Sequence, residues 1–125
     1  MDSNKYIQIL NNNLIPIIEN NKKFIFQHDN DPKHTSKKTK QFLKDNNVTT
    51  LEWPPNSPDL NPIENVWKIL KERVYKCKSK TSEEFVKNIN KEWKNIESSI
   101  LKSLINSMPN RIQDVIDNNG DNIMY

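Results

Sequence analysis

Apolar and polar residues alternate along this chain with two periodicities, one typical of helices and one typical of strands. Apolar positions three and four residues apart predict a helix over residues 3–19, with Ser3 at its start and a break or a second short helix near Pro16. The β-rich segments 22–29 and 48–53 predict two strands. The near-continuous apolar start of the first segment favours burial on both faces.

A polar helix from about Lys33 to Asp45 separates the two predicted strands. Strands joined through a helix form a βαβ unit, and their pairing is then parallel. The sequence therefore predicts an α/β fold with a βαβ core and flanking helices.

The second half of the chain reads as amphipathic helices, and Asn61 followed by Pro62 is a favourable helix start. Trp67 and Trp93 fall on apolar stripes, which predicts that both lie in the core. Gly120 is a candidate helix stop. The predicted helices cover residues 62–76, a stretch that begins near residue 81, and two short segments divided at Met108–Pro109.

Composition limits the classes of function only mildly. The chain has 125 residues, which suits a single domain, and its net charge of +3 makes a weak electrostatic case for nucleic acid. Cys77 is the only cysteine, which excludes a disulfide framework or a zinc cluster built from cysteines. No apolar run approaches the ~18 residues of a membrane span, so we expect no membrane partner.

The candidate chemistry lies around two carboxylates. Asp29 falls at the carboxyl end of the first predicted strand, the edge at which ligands bind in open α/β sheets. Glu64 falls in the first helical turn after a proline track, residues 53–62, which holds four of the seven prolines. Paired carboxylates are typical ligands of a divalent metal ion such as Mg²⁺.

Each candidate has a plainer interpretation. Glu64 is the third residue after Asn61, where a capping-box glutamate reaches back to the N-cap amide. Asp29 can be an ordinary turn residue. His34 can be a surface or capping histidine, and lysines such as Lys33 and Lys37 are commonly a solvated helix face.

Two motifs carry a resemblance to a known family. The segment "FQHDNDPKHTS" followed by "WPPNSPDLNPIENVW" resembles the Tc1/mariner family of DDE transposases, and 34 residues separate Asp29 from Glu64 as in its Tc1-like branch. The resemblance extends over nearly the whole chain, as a truncated catalytic domain over residues 1–125 with a helical extension over residues 80–125.

The resemblance implies an RNase H-like fold and a function in DNA transposition. It makes Asp29 and Glu64 catalytic ligands of Mg²⁺ or Mn²⁺ in a two-metal site that cleaves DNA and transfers the strand. Lys33, His34 and Lys37 become candidate phosphate contacts. The implied partners are DNA, both transposon ends and target, and a second copy or a full-length transposase. The implied location is the nucleus.

The sequence also departs from the family pattern. The family's first catalytic aspartate lies on the first strand of the fold, and we expect the three opening strands to be missing here, since Asp2 follows only Met1. We therefore expect a transposase fragment that is inactive alone. The alternatives are a catalytically dead remnant that binds DNA or a transposase, and an unrelated α/β protein with a structural proline track.

Overall fold

The computed structural model describes residues 1–124, which fall into two compact units, Met1–Asn56 and Ser57–Tyr125. No helix of the described chain combines the length and the apolar character that a membrane crossing requires. The α-helices of the described residues are α1 Ser3–Asn20, α2 Pro32–Thr35, α3 Lys37–Asp45, α4 Pro62–Lys76, α5 Ser82–Lys94, α6 Ser98–Asn106 and α7 Met108–Asp117, and a 3₁₀ turn, Pro58–Leu60, precedes α4.

Helix α1 differs from its prediction at its start and at Pro16. The Asp2 carboxylate caps the helix by accepting the N–H of Lys5 at 2.9 Å, so Ser3 is already helical. The helix continues through Pro16 to Asn20, and the predicted break is wrong. Pro16 and Asn12 are both exposed, so water can reach the Asn12 carbonyl that the proline leaves without an N–H.

The predicted α/β fold, with its RNase H-like βαβ core, is wrong for the described residues. They are 65% helical and contain no sheet. The two predicted strands meet only in a parallel bridge between Phe26 and Thr50. The Phe26 N–H donates to the Thr49 carbonyl at 2.8 Å, and the Leu51 N–H donates to the Phe26 carbonyl at 2.9 Å.

The residues just before this bridge are exposed, and this explains why the two segments do not pair over a greater length. Phe24 and Ile25 are 50% and 60% exposed, so the first segment is not buried on both faces. Parallel strands are sustained by cover on both faces and by further strands beside them, and the described residues supply neither at this bridge.

The helix predicted over residues 33–45 is divided at Ser36. The Ser36 hydroxyl accepts the N–H of Thr39 at 3.2 Å and donates to the Thr39 hydroxyl at 2.9 Å. Ser36 itself is extended (φ −57°, ψ 151°), which ends α2 and begins α3. A short polar side chain that bonds to nearby backbone competes with the helical ladder, and here the competition produces a cap.

A small apolar core organises the first unit. Tyr6 and Leu10 of α1 pack with Leu43 of α3 and with Val48, and each is at least 91% buried. Phe26 packs against this cluster. The core therefore holds α1 and α3 against the extended segment that leads to the first candidate carboxylate.

Helix α4 has the predicted bounds, but its tryptophan is not in the core. Val66 and Val74 are buried, whereas Trp67 is 51% exposed and Trp93 of α5 is 49% exposed. The predicted core placement of both tryptophans is wrong. Trp67 lies seven residues before the buried Val74 and only about 20° from it around the helix, so it shares the angular position of the buried stripe. Its exposure shows that this stripe is covered at Val74 and only partly covered at Trp67.

The end of the chain follows the predicted pattern. The predicted division between two short helices is present, but it falls at Ser107: α6 ends at Asn106, and Met108 and Pro109 already belong to α7. Gly120 has a φ of +87°, and its N–H donates to the Val115 carbonyl at 2.8 Å. This left-handed conformation is favourable for glycine and closes the end of α7. A helical extension that begins at residue 80 stays a prediction.

Candidate functional site

Asp29 lies three residues beyond the Phe26 bridge, with its side chain 55% exposed. Its Oδ1 accepts the N–H of Asp31 at 3.1 Å and lies 2.5 Å from Nδ1 of His34. The contact with Asp31 is the turn interaction that the plainer interpretation predicts. Both contacts fall on Oδ1, so Oδ2 remains as the oxygen that can bind an ion.

His34 lies within a cluster of aromatic rings. Its side chain is only 15% exposed, and its ring centroid is 4.2 Å from that of Tyr6 and 5.4 Å from that of His28. The Tyr6 hydroxyl lies 3.3 Å from Nδ1 of His28. Strand alternation predicts that His28 points away from Asp29 and offers His34 no partner. The turn at residues 30–31 instead brings His34 next to His28. Strand alternation could not predict this contact, because it does not describe the path of the chain after the strand.

The burial of this cluster changes its ionisation. Desolvation raises the pKa of Tyr6 to about 12, and the negative charges of Asp29 and Asp31 add to the effect. Desolvation lowers the pKa of His28, and the nearby His34 lowers it further against the opposing charge of Asp29. Tyr6 and His28 are therefore neutral near pH 7.

The three predicted phosphate contacts differ in their surroundings. Lys33 pairs with Asp31 at 2.5 Å, and this hydrogen bond, with the one from the Lys33 N–H, lowers the pKa of Asp31. His34 is held by Asp29 and the rings. Lys37, the first residue of α3, is exposed. Of the three, Lys37 is the side chain most accessible to a phosphate.

Glu64 is the third residue of α4 and is exposed. The capping-box interpretation requires its carboxylate to accept the N–H of Asn61, but that N–H donates to the Pro58 carbonyl at 3.0 Å. The Asn61 side chain makes no capping hydrogen bond either. The carboxylate lies at a helix N-terminus, where the helix dipole favours negative charge.

A buried arginine anchors the segment around Glu64. Arg111 of α7 is 1% exposed, and its Nη1 donates at 2.9 Å to both the Asp59 carbonyl and Oδ1 of Asn65. Its Nε donates to the Ser107 hydroxyl at 2.8 Å. Sequence reasoning missed this residue. Its one signal is that Arg111 is one of only two arginines in a lysine-rich chain.

The donor chemistry of the two carboxylates fits a hard divalent cation. Residues 1–124 contain no group of three or more His, Cys, Asp or Glu side chains arranged to hold a metal ion. Asp29 belongs to the first unit and Glu64 to the second. Each offers an exposed carboxylate oxygen, the kind of ligand that Mg²⁺ and Mn²⁺ accept.

Residues 1–86 match the family model described as DDE superfamily endonuclease. The chain is 38% identical over 122 residues to the transposable element Tcb2 transposase of Caenorhabditis briggsae, covering 96% of this chain and 45% of that protein. It is 43% identical over 97 residues to the transposable element Tc1 transposase of Caenorhabditis elegans, covering 78% and 36%. The chain thus spans less than half the length of these curated relatives.

A solved structure shares the fold. The crystal structure of the catalytic domain of Mos1 mariner transposase superposes with a TM-score of 0.84 at 21% identity, covering 98% of this chain and 64% of that one. A second structure, of the Mos1 transposase catalytic domain and Raltegravir with Mg, gives a TM-score of 0.81 at 24% identity, covering 99% and 66%. The family predicted from the two motifs is confirmed: the chain belongs to the DDE superfamily endonucleases and is related to the Tc1/mariner transposases.

Proposed function

We propose that Asp29 and Glu64 are metal-binding catalytic carboxylates of a transposase catalytic domain that cuts and joins DNA in the intact protein. One observation carries the proposal: both carboxylates lie within the family match and on exposed residues, the turn contacts of Asp29 use Oδ1 and not Oδ2, and Glu64 does not form the capping box. The absence of the capping box at Glu64 removes the main structural role that its position suggests.

The chain's own residues would prepare this site. Asp29 and Glu64 would hold Mg²⁺ or Mn²⁺, which when bound in a two-metal arrangement activates the attacking oxygen and stabilises the leaving oxygen of a phosphodiester. His34 orients the Asp29 carboxylate through the contact with Oδ1. Lys37 offers a positive charge to a DNA phosphate.

The substrates follow from the relatives, which are named as transposases of transposable elements. We infer that the intact protein acts on transposon ends and on target DNA, and therefore works in the nucleus. A solved Mos1 catalytic domain named with Mg supports a divalent cation. A second copy of the chain, or a full-length transposase, is the protein partner that we propose.

The metal-binding part of the proposal can be tested on this chain by titration with Mn²⁺, using the loss of the free-ion electron paramagnetic resonance signal as the readout. Asp29→Asn and Glu64→Gln should each weaken binding. Glu72→Gln is the matched control, because Glu72 is an exposed glutamate on the same helix. Equal binding by all four proteins would overturn the proposed ligands.

Cleavage is a separate question. No third acidic group joins Asp29 or Glu64 in a metal-holding cluster within residues 1–124. We therefore propose little or no nicking of DNA with transposon ends by this chain alone in Mg²⁺ or Mn²⁺. Robust turnover that Asp29→Ala abolishes would contradict this part of the proposal and leave the ligand assignment standing.

A second candidate function is a module that binds a transposase without cutting DNA. The exposed Phe24 and Ile25 beside an isolated β-bridge favour it, since an unpaired extended segment can pair with another chain. Sedimentation of the purified chain over a range of concentrations tests this. Self-association that Ile25→Lys abolishes would support the module, and a monomer at every concentration would count against pairing between copies.

A further inference from the structure

Arg111 is a buried charged side chain to which the proposed chemistry gives no task. A guanidinium that is 1% exposed carries a large desolvation cost, which is tolerable only when its N–H groups find partners. Three of its hydrogen bonds go to the Asp59 carbonyl, the Asn65 amide oxygen and the Ser107 hydroxyl. Because the buried guanidinium needs these hydrogen bonds, it holds its three partners in position.

The partners of Arg111 flank Glu64. Asp59 lies in the 3₁₀ turn Pro58–Leu60 that precedes α4, and Asn65 follows Glu64 directly. One nitrogen, Nη1, contacts both at 2.9 Å. The guanidinium therefore joins the two ends of the short segment that carries Glu64, from the buried side, while the Glu64 carboxylate stays exposed on the other.

Local sequence alone would leave this helix start poorly fixed. Pro62 has no N–H, and the Asn61 side chain makes no capping hydrogen bond. A second tertiary tie supports the same segment, since the Asp59 carboxylate accepts the N–H of Ile123 at 2.9 Å. The start of α4 is thus held from the C-terminal part of the chain.

We propose that Arg111 is a positioning residue for Glu64: its clamp on Asp59 and Asn65 holds the first turn of α4 so that the carboxylate is already placed for a metal ion. The inference rests on the proposed role of Glu64. A ligand held in place before binding avoids the ordering cost that a mobile ligand would incur.

The clamp can be tested without any metal by native-state proteolysis with a glutamate-specific protease. Cleavage after Glu64 reports opening at the start of α4, and cleavage after Glu72, on the same helix, is the internal reference. Each rate is divided by the rate at the same bond in the urea-unfolded variant, because Asn65 and Arg73 directly follow the two bonds. The test variant is Arg111→Met. The matched control is Arg73→Met, because Arg73 also ties α4 to later residues through Asn95 and Glu97.

Arg111→Met should raise the ratio of cleavage at Glu64 to cleavage at Glu72 by roughly 10-fold or more, since several hydrogen bonds from a charged donor are lost. Arg73→Met should not raise that ratio. If Arg111→Met unfolds the chain, Asn65→Ala removes one acceptor only and should raise the ratio by a smaller factor. An unchanged ratio in a folded variant would overturn the clamp.

Mn²⁺ titration of the same variants then tests the positioning role. Arg111→Met should weaken Mn²⁺ binding while Arg73→Met leaves it unchanged, and equal affinities would overturn positioning. Arg111→Lys, which keeps the charge, should restore only part of the affinity. If the wild-type chain binds no Mn²⁺ that Glu64→Gln can remove, the proposed function fails, and the cleavage ratio still decides whether the clamp exists.

Discussion

Thr39→Val is the substitution that most sharply tests how the turn beside Asp29 is held. Thr39 is 0% exposed, and its hydroxyl donates to the Lys33 carbonyl at 2.7 Å while it accepts from the Ser36 hydroxyl at 2.9 Å. Valine has nearly the same shape but cannot make either hydrogen bond. The change therefore removes the polar link between α2, which carries His34, and α3.

The expected cost follows from what the partners can do instead. A buried group left without its partner costs about 1–3 kcal/mol, and the Lys33 carbonyl would be such a group. The Ser36 hydroxyl, however, already lies 3.5 Å from that carbonyl and can turn towards it. We therefore expect a loss of about 1–2 kcal/mol in the free energy of unfolding, in the lower part of that range.

Urea unfolding followed by far-ultraviolet circular dichroism measures this loss. At a slope of about 2 kcal/mol per molar urea, typical for a small domain, a loss of about 1–2 kcal/mol lowers the midpoint by roughly 0.5–1 M. Thr49→Val is the matched control, because Thr49 is exposed, and it should change the free energy of unfolding by less than about 0.5 kcal/mol. Equal midpoints for the two variants would refute the argument that the Thr39 hydroxyl joins the helices.

Three further predictions concern other parts of the chain. Pro16→Ala should raise the free energy of unfolding by about 1–3 kcal/mol in urea titrations, because α1 regains a hydrogen bond within the helix, and no gain would contradict this. The hydrogen bond from Arg73 lowers the pKa of Glu97 below its ordinary value of 4.5. The ionised Glu97 therefore stabilises the folded chain above pH 4.5, and this stabilisation is lost as the pH falls below that value. Glu97→Gln should therefore flatten the dependence of the urea midpoint on pH below about 5. The same pH dependence in the wild-type chain and in Glu97→Gln would show that Glu97 does not contribute this stabilisation. Lys37→Gln should reduce the slope of DNA affinity against salt by about 0.9 on logarithmic axes, and the control Lys102→Gln should not.

The sequence predicts α4 well because its determinants are local. Pro62 and the apolar positions that include Val66 and Val74 indicate the first turn and the buried stripe from a local pattern. The contacts that hold the start of the helix, from Arg111 and Ile123, are distant in sequence, and the pattern does not show them. The strands fail for the opposite reason. β-propensity reports how well a side chain fits between neighbouring strands, and within residues 1–124 no strand lies beside Phe24 and Ile25.

In the candidate site, too, local features could be predicted from the sequence and contacts between distant residues could not. The two motifs pick out Asp29 and Glu64 as a spacing in the sequence, and that assignment remains a proposal. The ring contacts of Tyr6 and His28 with His34 depend on packing between α1 and the turn, which no periodicity encodes. Arg111 lies 46 residues from its partner Asn65, beyond any local pattern.

Paramagnetic broadening by Mn²⁺ in the nuclear magnetic resonance spectrum of this chain shows directly whether Asp29 and Glu64 bind the metal ion. If both are ligands, the amide signals of residues near both Asp29 and Glu64 broaden together at low Mn²⁺, and Asp29→Asn or Glu64→Gln reduces broadening at the substituted site. Broadening confined to other acidic residues, or unchanged by both substitutions, would contradict the assignment of these carboxylates as metal ligands.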